Sequence, residues 1–179
     1  MQNKRVVISG APGAGKTSLI EGLQARGYET FQEYSRTLIE EGKKQGKSNF
    51  FLSDPQEFSE RIFLGRKAQF EAAHTLEKDV KNALVFYDRG IHDIQAYLEA
   101  IHQSNSSWEN RVRLFQYDFV FLVEPWEAIY QKDKQRLESF QQAEMYFPFI
   151  ERIFEKNHTV VLIPKMSIED RIEFVEDYL

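Results

Sequence analysis

The segment that decides the fold is Val6-Val7-Ile8-Ser9-Gly10-Ala11-Pro12-Gly13-Ala14-Gly15-Lys16-Thr17. It begins as an apolar run of strand length. It is followed by a helical spacing of Leu19, Ile20 and Leu23 and by Gly27, a typical helix C-cap. The pattern Gly-x-x-x-x-Gly-Lys-Thr between a strand and a helix is typical of a phosphate-binding loop. Its glycines let successive backbone N–H groups point at phosphate oxygens, and the helix adds the positive end of its dipole.

This loop predicts a binding site for a nucleoside triphosphate, ATP with Mg²⁺. Lys16 is expected to reach the β- and γ-phosphates, and the Thr17 hydroxyl is expected to ligate Mg²⁺ beside them. The residues predicted to contact the nucleotide are Gly10, Ala11, Pro12, Gly13, Ala14, Gly15, Lys16, Thr17 and Ser18. The alternative is a chance glycine-rich turn, but every position of the motif and both flanking elements match.

The rest of the chain alternates between strand-like and helical patterns. After the first strand, over 5–9, apolar runs predict strands over 28–32, 83–88, 119–123 and 159–163. Helical spacing predicts helices over 34–41, 54–82 and from 167 onward. Nearly uninterrupted apolar strands separated by helices indicate a parallel sheet with helices on both faces. The 179 residues contain no linker or repeat, which predicts one α/β domain over 1–179.

Smaller features of this pattern give further expectations. Asp54 begins the second long helix as its N-cap, and the last helix is expected to bury Ile168, Ile172 and Val175. Two polar segments are expected to be loops, one of them mobile: 42–49 with its two glycines, and Asn105-Ser106-Ser107.

The composition excludes several classes of protein. The absence of cysteine excludes disulfides, thiolate catalysis and cysteine-based zinc sites, and it fits a reducing cytoplasm. The formal net charge of −5 disfavours a nucleic-acid partner, because phosphate backbones are usually met by a basic face. The apolar runs are too short for a signal peptide or a membrane span, so we expect a cytoplasmic protein. Its oligomeric state stays open.

An acid-arginine pair stands where the third strand ends. Asp88 closes this strand and is followed by Arg89-Gly90. Ligands of open α/β sheets lie outside the carboxyl ends of the strands, so these side chains are candidates by position. Asp88 is predicted either to hold Mg²⁺ or to accept the proton of an attacking hydroxyl, with Arg89 bracing the transferred phosphoryl group. The alternative is a solvated turn.

Five further residues are candidates for binding a phosphoryl acceptor. Glu33 follows the second strand, and Arg36 comes one helical turn later, so both are expected to reach the site. The alternative for these two is a structural i,i+3 ion pair. Arg61 lies on the long helix before the third strand, where the alternative is a solvated face. His92 and Asp93 follow the Asp-Arg-Gly triplet and are expected to line the pocket.

A cluster of basic residues after the fourth strand predicts a lid over about 130–142. Arg136 is its best candidate for stabilising the transferred charge, because a guanidinium group suits bidentate phosphate contacts. Acidic residues alternate with the basic ones, so an exposed helix with salt bridges is the alternative.

The chain resembles a family of small bacterial P-loop proteins known as AAA-domain predicted ATPases, which is related to the nicotinamide-riboside kinase domain of NAD-biosynthesis regulators. The matching segments are 6–17, 33–36, 54–58, 86–90, 125–130, 133–140 and 167–171. More distantly, the chain is similar to deoxynucleoside and nucleoside monophosphate kinases, whose acid-arginine pair resembles Asp88-Arg89. The resemblance implies a three-layer P-loop fold of the kinase type with sheet order 2-3-1-4-5. The chain is too short for the second domain of ring-forming motors of the AAA type.

These features favour a kinase that moves the γ-phosphoryl group of ATP to a small-molecule acceptor, such as a nucleoside. A second hypothesis is a nucleotide-dependent ATPase or switch that acts on a protein or lipid partner. A third, a nucleotide-binding module without chemistry, is disfavoured because Lys16, Thr17 and Asp88 are all present.

Overall fold

Five parallel strands form one sheet in the computed structural model, which describes residues 3–44, 54–76, 83–130 and 139–179. The strands are β1 Lys4–Gly10, β2 Glu29–Phe31, β3 Leu84–Asp88, β4 Phe119–Val123 and β5 Val160–Ile163. Their order in the sheet is β2-β3-β1-β4-β5. This confirms the order expected for a P-loop fold of the kinase type. The strand bounds agree with the sequence patterns to within one or two residues, which is the usual uncertainty of strand ends.

Helices cover both faces of the sheet. They are α1 Lys16–Ala25, α2 Tyr34–Lys44, α3 Pro55–Ala72, α4 His92–Ala100, α5 Ser106–Val112, α6 Phe140–Glu155 and α7 Ile168–Tyr178. Helices α1 and α7 pack against each other, whereas α4 packs against α3 and α6. Sheet residues form the centre of the main apolar core, and a second apolar cluster lies among α2, α3, α4 and α5. No helix in the described ranges is long and apolar enough to cross a membrane.

The register of the strands brings the candidate residues to one edge of the sheet. Ile8 pairs with Asp88, and Gly10 pairs with Val123, so the end of β1 lies between the ends of β3 and β4. Gly10 has φ of 130°, and a Cβ atom there would lie 2.1 Å from the Val123 carbonyl oxygen. The chain can therefore turn into the phosphate-binding loop here only with glycine at this position.

The structure corrects the predicted ends of two helices. The loop expected over 42–49 is wrong for 42–44, because α2 continues to Lys44, and Gly42 lies on its buried face one turn after Leu38. The remainder of that segment, 45–49, lies outside the described residues. The helix expected over 54–82 ends at Ala72, where the Thr75 hydroxyl donates to the Ala72 carbonyl and closes a turn. Residues 77–82 lie outside the described part.

Two other local expectations are also corrected. Ser106 and Ser107 are not in a loop but begin α5, and Asn105 precedes them as the N-cap, where its side chain accepts a hydrogen bond from the Trp108 amide. The buried Trp108 side chain anchors this short helix. Ile168, expected to be buried, is 40% exposed, whereas Ile172 and Val175 are buried as predicted. The patterns predicted neither α4 nor α6.

Candidate active site

The phosphate-binding loop ends in a helix start that has free amide groups. Gly15 takes a left-handed conformation with φ of 87°, and no side chain caps the first turn of α1. These N–H groups and the helix dipole favour a bound anion. Lys16 is buried, and its Nζ donates to the carbonyl oxygens of Gly10 at 3.1 Å and Ala11 at 2.6 Å. Burial and the nearby Arg89 lower the pKa of Lys16 to about 7, so a phosphate group would supply the negative charge that this ammonium needs.

Thr17 and Asp88 form a corner that fits Mg²⁺. The Thr17 hydroxyl donates to Asp88 Oδ2 at 3.1 Å, and Asp88 Oδ1 is buried without a hydrogen-bond partner. Burial and the nearby Glu33 raise the pKa of Asp88 to about 6 despite the opposing charges of Lys16 and Arg89. No group of three or more acidic or histidine side chains forms a metal site in the described ranges. A hydroxyl and one carboxylate, completed by nucleotide phosphates, are nevertheless the usual protein ligands of Mg²⁺ in such loops.

Glu33 is held between two arginines, Arg66 and Arg89, beside Asp88. Its Oε1 accepts from Arg66 Nη2 at 2.6 Å and from the Ser35 hydroxyl at 2.8 Å, and its Oε2 lies 2.5 Å from Arg89 Nε. Burial alone would raise the pKa of Glu33, but the charges of Arg89 and Arg66 lower it to about 2. The side chain is therefore a permanent anion that fixes the positions of both guanidinium groups.

Asp93 anchors the loop between β3 and α4. Its carboxylate accepts from the Gly90 amide, the Ser9 hydroxyl and Arg89 Nη1. Arg89 itself has φ of 70°, a conformation that residues other than glycine rarely adopt. The carboxylates of Asp93 and Glu33 thus hold Arg89 in place from two sides.

A cavity of about 670 Å³ joins these groups. Its polar floor consists of loop residues together with Glu33, Arg36, Arg66, Asp88, Arg89 and Asp93. On the side of α2 and α3 an apolar wall is formed by Ile39, Phe58, Ile62, Ile94, Tyr97, Tyr146 and Ile150. On the other side the loop continues into a surface formed by Trp126, Ile129, Met166, Ser167, Ile168 and Arg171. The cavity therefore extends to both sides of the phosphate-binding loop.

Arg36 reaches the site, as expected, but not through the alternative of an ion pair with Glu33. It lines the cavity, but it forms no i,i+3 ion pair with Glu33, whose arginine partners are Arg66 and Arg89. Instead, Arg36 Nη2 donates to the Thr17 hydroxyl at 3.1 Å. The guanidinium group thus contacts the metal corner directly.

Two other candidates, His92 and Arg61, do not line the cavity, and a third lies outside the described residues. His92 is fully buried in the core, where its ring stacks on Phe154 and meets the edge of His158. Arg61 lies on the exposed face of α3 and pairs with Glu57, so the solvated-face alternative describes it correctly. Arg136 lies outside the described residues, and its role stays a prediction. The end of the expected lid, 139–142, is the capped first turn of α6.

The buried His92 makes stability dependent on pH. Burial and the neighbouring His158 lower the pKa of His92 from 6.5 to about 3, and neither ring nitrogen has a partner. Because the unfolded chain takes up a proton near pH 6.5 and the folded chain does not, stability falls as the pH drops from 6.5 towards 3. Asp93 opposes this shift, and the buried Tyr117 ring also faces the imidazole.

We expect His92→Phe to remove this dependence. The loss of unfolding free energy between pH 7 and pH 4.5 should be smaller by about 2.5 kcal/mol in the variant, as measured by urea unfolding at both pH values. The matched control is His102→Asn, which changes an exposed histidine and keeps a residue type that tolerates positive φ. Equal pH dependence in His92→Phe and the wild type would contradict the assignment.

Two further arginines complete the site. Arg66 lies on the same long helix as Arg61 and had the same two interpretations, and the structure places it in the site, where it is 4% exposed and bridges Glu33 and the Gly90 carbonyl. Arg171 in α7 donates to the Ala14 carbonyl at 2.9 Å, and its guanidinium group lies 4.9 Å from the centre of the Trp126 ring. The available signal for Arg171 was its place in a segment shared with the resembled family.

Comparison with known proteins agrees with this geometry. A family model described as AAA domain matches residues 5–171. The fold is similar to deoxyadenosine kinase from M. mycoides with bound dATP, with a TM-score of 0.68 and 16% identity over 97% of this chain and 98% of that chain. It is also similar to the NadR protein in complex with NR, with a TM-score of 0.69 and 16% identity over 98% of this chain and 50% of that one.

A third similar structure is thymidylate kinase from Ehrlichia chaffeensis, with a TM-score of 0.61 and 16% identity over 99% of both chains. No curated protein matches the sequence. At such identities the solved structures show a shared fold, whereas the family model covers most of the chain and confirms the resemblance. The chain belongs to the AAA-domain family of P-loop proteins.

Proposed function

We propose that this protein is an ATP-dependent phosphotransferase that moves the γ-phosphoryl group to a hydroxyl of a small, nucleoside-like acceptor. The observation that carries the proposal is the cavity that extends from the phosphate-binding loop past Asp88 to Glu33 and Arg89. A protein that only hydrolyses ATP or signals to a partner has no need of a second chamber beside the γ-phosphate position.

The groups at the loop support transfer from a metal-bound triphosphate. Thr17 and Asp88 would hold Mg²⁺, which supplies charge neutralisation for the phosphates when bound. Lys16 is placed to stabilise charge on the transferred group, and Arg89 faces the same part of the cavity. Because phosphoryl transfer passes through a loose transition state, positioning and charge contribute more than a strong base. Asp88 would receive the acceptor proton only in the alternative in which it does not ligate Mg²⁺.

The charges on the acceptor side favour a hydroxyl over a phosphate. Arg66 pairs with Glu33, and Arg89 pairs with both Glu33 and Asp93, so the two carboxylates match the two guanidinium groups and neither is left uncompensated for a dianionic acceptor. A carboxylate offers about four acceptor positions, and Arg66, Ser35 and Arg89 use three of those on Glu33. The remaining position on Oε2 suits a hydroxyl donor.

Aromatic side chains on both sides of the cavity favour the binding of planar rings, one from the acceptor and one from ATP. Tyr97 and Tyr146 border the acceptor chamber together with aliphatic side chains, as a planar base would need. On the nucleotide side, Trp126 presents its ring beside Arg171, which suits stacking of the adenine of ATP. The similar proteins named as deoxyadenosine kinase and as a complex with NR agree with a nucleoside-like acceptor.

A panel of acceptors tests the proposal. The purified protein is incubated with γ-labelled ATP, Mg²⁺ and either nucleosides, related ribosides or the corresponding monophosphates. We expect label to move to the hydroxyl of a riboside and none to move to a monophosphate. Label found only in inorganic phosphate would instead support an ATPase or switch. Labelled diphosphates would contradict the inference that the side chains around Glu33 favour a hydroxyl over a phosphate acceptor.

Asp88→Asn provides the matched variant for this assay. The amide keeps the shape of the side chain but loses the charge that Mg²⁺ needs, so turnover should fall by about 10²-fold. The secondary structure, measured by circular dichroism, should not change. Turnover equal to that of the wild type would remove Asp88 from the site.

A further inference from the structure

The Thr17 hydroxyl has its proton and one lone pair committed before any metal arrives. It donates its proton to Asp88 Oδ2 and accepts a hydrogen bond from Arg36 Nη2, both at 3.1 Å. A hydroxyl has one proton and two lone pairs, so one lone pair of the Thr17 oxygen remains for a metal ion, next to the lone pair that Arg36 already uses. A metal ion that ligates this hydroxyl would therefore place two cations on one oxygen atom.

Arg36 differs from the other arginines of the cavity in its partners. Arg66 and Arg89 pair with the Glu33 carboxylate, and Arg171 is held by the Ala14 carbonyl and the Trp126 ring. Among the described residues, Arg36 has no carboxylate partner. Its contact in the described part of the chain is the Thr17 hydroxyl beside Asp88, where Mg²⁺ would bind.

We propose that the Arg36 guanidinium group occupies the Mg²⁺ position in the absence of nucleotide. Binding of the metal-nucleotide complex displaces this guanidinium group, which then contacts the transferred phosphoryl group. The inference rests on the proposed function, because it assigns a role within that site. Before binding, the guanidinium group donates to the Thr17 hydroxyl, which in turn donates to Asp88. After displacement, it is a cation without a partner that lines the cavity where the phosphoryl group crosses to the acceptor.

The position of Arg36 in α2 would couple metal binding to the acceptor side of the cavity. It lies in the first turn of α2, three residues after Glu33, and Ile39 in the next turn forms part of the acceptor wall. Arrival of the metal would thus release a charged group on the acceptor side. The transferred phosphoryl group would gain a third cationic side chain, besides Lys16 and Arg89, only when the metal-nucleotide complex is in place.

The dependence of ADP binding on Mg²⁺ tests the exchange without any acceptor. ADP binding is measured by calorimetry across a series of free Mg²⁺ concentrations for the wild type, Arg36→Met and Arg36→Gln. Loss of the competing charged hydrogen bond should lower the Mg²⁺ concentration for half-maximal tightening by about tenfold or more. Arg36→Lys keeps a cation at this position and should shift it less.

Arg61→Met is the matched control, because it removes an exposed arginine of α3 that lies outside the cavity lining. Its Mg²⁺ dependence should equal that of the wild type. An unchanged or higher Mg²⁺ requirement in both Arg36→Met and Arg36→Gln would overturn the proposal. A structure with Mg²⁺ and ADP that retains the hydrogen bond from Arg36 to Thr17 would overturn it as well. Absence of an acceptor would refute the proposed function but would leave this binding measurement interpretable.

Discussion

Replacing Lys16 with methionine is expected to lower the turnover of phosphoryl transfer by about 10³-fold. The ammonium group is buried at the centre of the loop and donates only to backbone carbonyls there. A neutral side chain of similar length keeps the packing but removes the charge that the transferred group needs. Turnover is measured under saturating ATP with the best acceptor of the panel.

The same variant should keep its stability. Burial lowers the pKa of Lys16 to about 7, so keeping this group in the folded state costs free energy, and the unfolding free energy of the variant should be equal to or higher than that of the wild type. Lys67→Met on the exposed face of α3 is the matched control and should retain full turnover. A Lys16→Met protein that is folded and loses less than tenfold would contradict the role given to this residue.

Glu33→Gln is expected to lower the unfolding free energy by about 3–5 kcal/mol. The substitution leaves the guanidinium groups of Arg66 and Arg89 next to each other without the carboxylate that now separates them. Both arginine side chains are largely buried, at 5% and 16% exposure, so water does little to compensate their charges. Urea unfolding at neutral pH measures the loss, and the midpoint of thermal unfolding should fall by about 10 °C.

Ser35→Ala is the control for this measurement. It removes one neutral hydrogen bond to Glu33 and leaves both ion pairs, so it should cost only about 1 kcal/mol. Equal losses in the two variants would show that the arginines do not depend on the carboxylate. The pKa of Glu33 is lowered to about 2, so its contribution to the unfolding free energy is lost only as the pH falls from about 4.5 towards 2. The unfolding free energy of the wild type should therefore fall over this pH range, and that of Glu33→Gln should fall less.

The parts of the fold that depend on local patterns were predictable. The loop motif, the apolar strands and the place of Asp88 at the end of β3 follow from residues that are close together in the sequence. The cap at Asp54 is one example, because its carboxylate accepts from the Glu57 amide as the residue types indicate. The strand order was predicted instead from the resemblance to a family, since the sequence of a strand does not show which other strands pair with it in the sheet.

The parts that depend on distant partners were not predictable. Arg61 and Arg66 lie on the same helix with similar sequence surroundings, yet one is exposed and the other is buried against Glu33, 33 residues away. His92 follows the Asp-Arg-Gly triplet closely, but the direction of α4 turns its ring into the core. The role of Arg171 requires α7 to pack beside the loop, 157 residues away from Ala14 in sequence. Such contacts depend on tertiary packing, which the hydrophobic periodicity of a single segment does not predict.

The central claim is that the cavity accepts a hydroxyl compound and receives the γ-phosphoryl group of ATP. Its most direct test is the ratio of phosphorylated acceptor to ADP formed, measured in one reaction with γ-labelled ATP, Mg²⁺ and the best riboside of the panel. The proposed mechanism predicts a ratio close to one, together with a strong fall in ADP formation when the acceptor is left out. ADP formed at the same rate with and without acceptor, with the label only in inorganic phosphate, would contradict it.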